Sequence, residues 1–175
     1  MSRVMPPKLP RDAPALGVFD ALPALLRHVL DGSQLLTLPG FTLSLLSVDE
    51  AGRPHTTLLS LGEILTEPRA ATQLHDGLRF ALWPSSRTVA NLERSQRGAV
   101  NCVADATFFQ IQINQVRRLP DTLGLACFAA QVERVEAQRV AYAELQSGIT
   151  FAIAEDAPEC DARWAAQLAA LRASI

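Results

Sequence analysis

One stretch of the chain indicates the fold more clearly than any other, and it reads Leu78-Arg79-Phe80-Ala81-Leu82-Trp83-Pro84-Ser85-Ser86-Arg87-Thr88-Val89-Ala90-Asn91-Leu92. Its apolar, β-prone beginning predicts a buried strand over residues 78–83, which Pro84 ends. A polar loop follows, and residues 88–94 are predicted to form a short helix. The stretch therefore predicts a strand, a loop and a helix in direct succession.

The loop is the first candidate for a binding site. Ser85, Ser86 and Thr88 carry hydroxyl groups, and the Arg87 guanidinium can hold two phosphate oxygens at once. The N-terminus of the helix adds free N–H groups and a dipole that favours an anion. A simpler interpretation is that Ser85 or Ser86 caps the helix and that Arg87 is solvated. Residues 78–92 alone leave both interpretations open.

Strand patterns dominate on both sides of this stretch. Asp49 to Gly52 has the composition of a turn between two strands. The clearest alternation places Phe109, Ile111 and Ile113 on one face of a strand, with Gln110, Gln112 and Asn114 on the other. Besides the strand in the opening stretch, strands are predicted over residues 41–48, 55–61, 99–104, 107–117 and 125–135.

Helical patterns lie mainly at the two ends of the chain. Helices are predicted over residues 18–30, 137–146 and 162–173, the first with Asp20 as its N-cap because Pro23 fits a first turn. A long connection over residues 62–77, with a short helix after Pro68, and a short strand over residues 149–153 complete the pattern. We therefore expect a mainly β fold, a closed or split β-barrel with peripheral helices. An extended arm over residues 1–17 precedes this single domain of residues 18–175.

Composition excludes several classes of function. A hydrophobic share of 49% and a charged share of 19% are typical of a globular chain, and the net charge of −2 offers no basic stripe for nucleic acid. Cys102, Cys127 and Cys160 lack metal-ligand spacing, and the first two are expected to be buried on strands. Free thiols fit a reducing cytoplasm. The longest uncharged stretch, residues 32–48, is too short and too polar to span a membrane.

The order of these segments resembles that of the pyridoxamine 5'-phosphate oxidase-like superfamily of FMN-binding split barrels. In that family a Gly-x-Pro turn, here Gly52-Arg53-Pro54, leads into a strand that lies along the flavin. A later strand ends in a Ser-Arg pair that binds the phosphate, matched here by Ser86-Arg87, and Gln110 falls where the family has a glutamine that contacts the flavin. The resemblance covers roughly residues 18–135.

What the resemblance implies is a homodimer that holds FMN at the subunit interface and oxidises or reduces a small molecule. Gln110 and Gln112 would line a polar face near the cofactor. The cofactor-binding residues carried over from the family are Thr57, Leu58, Leu59, Ser60, Leu82, Trp83, Ser85, Ser86, Arg87, Thr88, Asn91 and Gln110.

The chain also departs from the family's pattern. Thr57 stands in place of an arginine that helps to hold the phosphate, and Thr88 and Gly62 each stand in place of a lysine. Because charge-assisted hydrogen bonds contribute about 1.5–3 kcal/mol each, we expect a weaker grip on the phosphate. The C-terminal substrate-binding segment of true pyridoxamine-phosphate oxidases has no match here, so that specific activity is not expected.

Two alternatives to FMN remain at this point. The same fold can hold deazaflavin or haem, and a haem ligand would have to come from His28, His55 or His75. Alternatively, the barrel has lost its cofactor and acts as a binding or interaction module, which the threonines at positions 57 and 88 would favour. The Asp49-Glu50 pair is interpreted as solvated turn residues, and His55 as the start of a strand that could also contact a ligand.

Overall fold

The computed structural model describes residues 15–67, 75–154 and 159–174 of the chain. Within these ranges the elements run β1 (Ala15–Phe19), α1 (Ala24–Val29), β2 (Thr42–Val48), β3 (Pro54–Ser60), β4 (Ile64–Glu67), β5 (Gly77–Leu82), α2 (Arg87–Ser95), β6 (Gly98–Ala104), β7 (Thr107–Arg118), β8 (Ala126–Arg139) and α3 (Cys160–Ala173). No helix in them is both long enough and apolar enough to cross a bilayer.

The strands form one antiparallel sheet in the order β3-β2-β6-β7-β8-β5-β4, and β1 pairs with the end of β8. The two outermost strands of this order, β3 and β4, are consecutive in the chain and joined only by residues 61–63. The sheet must therefore curl until its two ends meet at this corner. The fold is the mainly β split barrel with peripheral helices that the sequence predicts.

The core lies inside the curled sheet. The predicted alternation of β7 is confirmed, because Phe109, Ile111 and Ile113 are buried and face this core. Phe80 of β5 stacks on Phe128 of β8 with ring centroids 5.6 Å apart, and α1 and α2 add their apolar faces at its margins. Cys102 and Cys127 are buried on β6 and β8, as expected.

The C-terminal helix covers part of the outer surface of the sheet. Leu168 and Leu171 of α3 pack on Ala81, Cys127 and other residues of β4, β5 and β8. The helix predicted at residues 162–173 is thus confirmed and begins slightly earlier, at Cys160.

Two of the predicted helices are wrong in whole or in part. Residues 137–139 extend β8 instead of starting a helix, because Ala137 pairs with Phe109 of β7 on one side and with Gly17 of β1 on the other. The rest of that segment contains a turn with a bridge between Val140 and Ala143. The helix predicted over residues 18–30 is shorter, since Val18 and Phe19 belong to β1 and Pro23, not Asp20, caps α1.

The remaining differences concern the connections. Residues 64–67 form β4, which the sequence pattern did not indicate, and Thr150 makes only an isolated bridge with Phe41 in place of the predicted strand over residues 149–153. The short helix expected after Pro68 lies outside the described residues. So do residues 1–14 of the predicted arm, while residues 15–17 form the start of β1.

Candidate functional site

The helix α2 lies across β2 and β3 and is fixed there by two side-chain hydrogen bonds. In its first turn, the hydroxyl oxygens of Thr88 and of Thr57 on β3 are 2.6 Å apart. One turn later, the Asn91 Nδ2 donates to the Ser47 Oγ of β2 over 3.0 Å, and both of these residues are buried. Anchored at two successive turns, the N-terminus of α2 has a fixed position above the sheet.

Ser86 is the N-cap of α2, as one of the two interpretations of the loop predicts. Its Oγ accepts a hydrogen bond from the Val89 N–H, while Ser85 and Arg87 are exposed on either side of it. Capping and anion binding are compatible here, because the N–H groups of the first two helical residues have no acceptor within the helix. Arg87 takes part in no ion pair with any of the described residues.

Thr88 is less available to a ligand than its position in the sequence suggests. Its side chain is 2% exposed and its hydroxyl is engaged with that of Thr57. A hydroxyl has one proton to donate, so in this pair one threonine donates to the other and a single O–H remains free. The pair can therefore give one hydrogen bond to an anion at this point, not two.

The other candidate residues lie either in the core, on the inner face of the sheet, or at the surface. Leu59 and Leu82 pack in the core, and Ser60 donates its N–H and its hydroxyl to the Glu63 carboxylate over 2.8 and 3.0 Å. Trp83 follows β5 and is 63% exposed. Trp83, which lies beside the loop, is thus the candidate residue that exposes an aromatic surface.

Leu58 and Gln110 lie on the outer face of the sheet, opposite to the side chain of Thr57. A cross-strand row runs from Leu58 through Ser44 and Asn101 to Gln110. At the usual strand spacing its two ends are about 14 Å apart along the sheet. In this row the Asn101 Oδ1 is buried and accepts no hydrogen bond within the described residues. Within one copy of the chain, Gln110 is thus distant from the loop at the start of α2.

An open groove of about 710 Å³ runs between α2 and the turn that joins β2 to β3. Its walls carry charged side chains from two segments, residues 49–55 and 87–94. Because these segments are far apart in the chain, the sequence does not predict that they meet. The helix contributes Arg87 and Arg94, and the turn and β3 contribute Asp49, Glu50, Arg53 and His55. Only the fold could reveal this groove.

Asp49 organises the turn side of the groove. Its carboxylate accepts hydrogen bonds from the Ala51 and Arg53 N–H groups at 2.9 Å and from the Arg53 Nε at 2.8 Å, and the His55 Nε2 lies 3.4 Å away. The Arg53 N–H above all, then the Arg53 guanidinium and His55, lower the pKa of Asp49 to about 2. Gly52 closes the turn at φ +78°, a conformation that glycine adopts without strain.

The three histidines lie apart from one another. His28 is exposed on α1 near Asp31, His75 is exposed before β5, and His55 is tied to Asp49. Among the described residues, no three His, Cys, Asp or Glu side chains form a group that could hold a metal ion.

Comparison with known proteins gives distant similarities only, and no protein-family model and no curated protein matches the sequence. Among solved structures, the chain is similar to a nitrilotriacetate monooxygenase component B homolog from Mycobacterium thermoresistibile, with 14% identity and a TM-score of 0.39 over 61% of this chain and 70% of that one. It is also similar to the styrene monooxygenase flavin reductase from Pseudomonas putida S12, with 10% identity and a TM-score of 0.40 over 65% and 93%.

A third similar structure is a proposed 5-nitroimidazole antibiotic resistance protein from Bacteroides thetaiotaomicron, with 9% identity and a TM-score of 0.44 over 79% and 98% of the two chains. Sequence identities and TM-scores this low do not identify a ligand or a reaction for this chain. The order of its own strands defines its fold. That strand order is the one of a mainly β split barrel.

Proposed function

We propose that this chain binds a flavin, FMN in the first place, and acts as a flavin-dependent oxidoreductase on a small molecule. The observation that carries the proposal is Arg87, an exposed guanidinium without an ion-pair partner among the described residues, at the N-terminus of a helix that is anchored to the sheet. A helix start and a guanidinium converge there as they do in many phosphate sites.

The donors at this point fit one phosphate monoester. They are the Ser85 hydroxyl, the Arg87 guanidinium, the N–H groups of the first helical turn and the one free O–H of the Thr57–Thr88 pair. Only Arg87 among them carries a full charge, and the helix N-terminus adds the equivalent of about half a charge. Because a phosphate monoester carries close to two negative charges, we expect micromolar rather than nanomolar affinity.

The flavin ring needs a flat apolar surface, and Trp83 offers one next to the loop. Its side chain is 63% exposed, and an indole can stack on a planar aromatic ligand. A bound flavin supplies hydride or electron transfer, while the protein supplies binding, orientation and the exclusion of water. A deazaflavin phosphate would use the same donors and is the second cofactor to test.

The proposed assembly is a homodimer that holds the cofactor between its subunits. One feature of the outer face supports it: Leu58, a large apolar side chain, is 50% exposed there. A second copy of the chain that covers this face would bring Gln110 toward a ligand, which Gln110 cannot reach within one copy. Sedimentation equilibrium should give about twice the chain mass of 19.0 kDa, and a monomer at all concentrations would contradict the assembly.

The experiment that tests the function is a titration of the purified full-length chain with FMN, followed by flavin fluorescence. We expect saturable binding at about tens of micromolar. Arg87→Ala should weaken it about ten-fold or more, since it removes the one charge-assisted contact. Arg117→Ala is the matched control, because Arg117 is an exposed arginine on β7, outside the groove. Absence of saturable binding would contradict the proposed function, and equal losses in both variants would show that the phosphate is not held at Arg87.

A further inference from the structure

The groove beside α2 has a second end, two helical turns away from Arg87. Arg94 follows Arg87 by seven residues on the same side of the helix, a distance of about 10 Å along its axis. At this end the helix faces the turn between β2 and β3, which contributes Arg53, and His55 at the start of β3. These residues, Arg53, His55 and Arg94, are called the turn end of the groove below.

Each arginine at the turn end makes one side-chain hydrogen bond to the described residues, and most of its donors take no part in it. The Arg53 Nε donates to the Asp49 Oδ2 over 2.8 Å, and the Arg94 Nη2 donates to the Val48 carbonyl oxygen. A guanidinium has five N–H donors, so each side chain keeps four that have no acceptor among the described residues. The two guanidinium groups are therefore exposed and keep most of their donors available to a ligand.

The charges at the turn end decide which ligand suits it. Two carboxylates, Asp49 and Glu50, line the same part of the groove as the two guanidinium groups. Asp49 is already engaged by Arg53 and by two backbone N–H groups. The local charge is thus close to balanced, which disfavours a phosphate dianion, whereas a carboxylate bears one charge and matches the planar fork of a guanidinium.

We propose that the turn end of the groove is a binding site for the carboxylate of a small organic acid, with Arg53 and Arg94 as its donors. The site itself is separate from the phosphate site at Arg87. The identification of that organic acid as the substrate rests on the proposed function, because the groove joins the turn end to Arg87.

The test is a titration of the ¹⁵N-labelled full-length chain with sodium acetate and sodium succinate at constant ionic strength, followed by two-dimensional NMR. We expect saturating shifts in residues 49–55 and in the second half of α2, with a dissociation constant of about millimolar. Arg94→Gln should weaken binding about ten-fold, Arg94→Lys should restore part of it, and Arg117→Gln should change nothing. Arg53→Gln is a second, independent variant.

Three results would overturn the inference. They are the absence of saturation with either acid, binding that is insensitive to both Arg94→Gln and Arg53→Gln, and inorganic phosphate binding at these residues more tightly than either acid. The spectra themselves report whether each variant is folded. FMN affinity measured on Arg94→Gln separates this inference from the proposed function, because we expect it to stay within about two-fold of the unmodified chain. If FMN does not bind, the carboxylate result is unaffected. If the organic acids do not bind, the FMN result is unaffected.

Discussion

Asp49 is a groove residue whose ionisation is linked to folding. Its pKa is lowered from 3.8 to about 2, so the folded state binds its proton less readily than the unfolded chain does. The stabilisation that its carboxylate gives is therefore complete above about pH 4 and is lost as the pH falls through about 2.

The corresponding variant is Asp49→Asn. We expect it to be less stable than the unmodified chain at neutral pH, and the difference in the free energy of unfolding should shrink between pH 4 and pH 2. Urea unfolding at several pH values measures this. Glu50→Gln removes the neighbouring charge and serves as the control. A difference that is constant with pH would contradict the role given to the Asp49 carboxylate.

Asp76 is a second carboxylate with a clear structural role, at the point where α1 meets the sheet. It is 2% exposed, and its Oδ2 accepts hydrogen bonds from the Leu22 N–H at 2.7 Å and from the Arg27 Nη2 at 3.0 Å. Asp76→Ala leaves a buried N–H without an acceptor, so we expect a loss of about 3 kcal/mol in urea unfolding. Asp105→Asn, which removes an exposed ion pair with Arg139 and keeps a residue type that tolerates the φ of +46° at this position, should cost less than about 1 kcal/mol.

At the scale of elements, the position of α2 depends on the Thr57–Thr88 pair. A double-mutant cycle with Thr57→Val and Thr88→Val tests this, because valine keeps the shape and removes the hydroxyl. Each single change should destabilise the fold by about 1 kcal/mol, and the double change by less than the sum, since the two lose the same hydrogen bond. Strict additivity of the two changes would show that the hydroxyls are not coupled.

The sequence pattern alone predicts those elements whose conformation does not depend on pairing with distant strands. The alternation of β7 and the strand–loop–helix succession at residues 78–92 could be predicted because the residues that are buried and the residue that caps the helix lie close together in the sequence. The helix prediction is wrong at residues 137–139 because Ala, Gln and Arg favour a helix locally, whereas Ala137 and Gln138 pair with both β7 and β1 and Arg139 pairs with β1. Tertiary pairing decided that segment.

At the scale of the whole molecule, the loop at the start of α2 is predictable from the sequence, whereas the groove beside α2 depends on the fold. The grouping of Ser85, Ser86 and Arg87 in one loop before α2 could be predicted because these residues are consecutive, and that this loop holds a phosphate stays a prediction. The turn end of the groove could not, since Arg53 and Arg94 approach each other only when the β2–β3 turn folds beside α2. Likewise, the separation of Thr57 from Gln110 on opposite faces follows from strand register, which the sequence alone does not give.

The proposed function depends on a contact between the phosphate of a bound flavin and Arg87. The most direct test compares the affinities of the unmodified full-length chain for FMN and for riboflavin, which differ only in that phosphate. We predict that FMN binds at least about ten-fold more tightly, with the advantage decreasing at high salt. Equal affinities for the two flavins, or no binding of either one, would contradict the account.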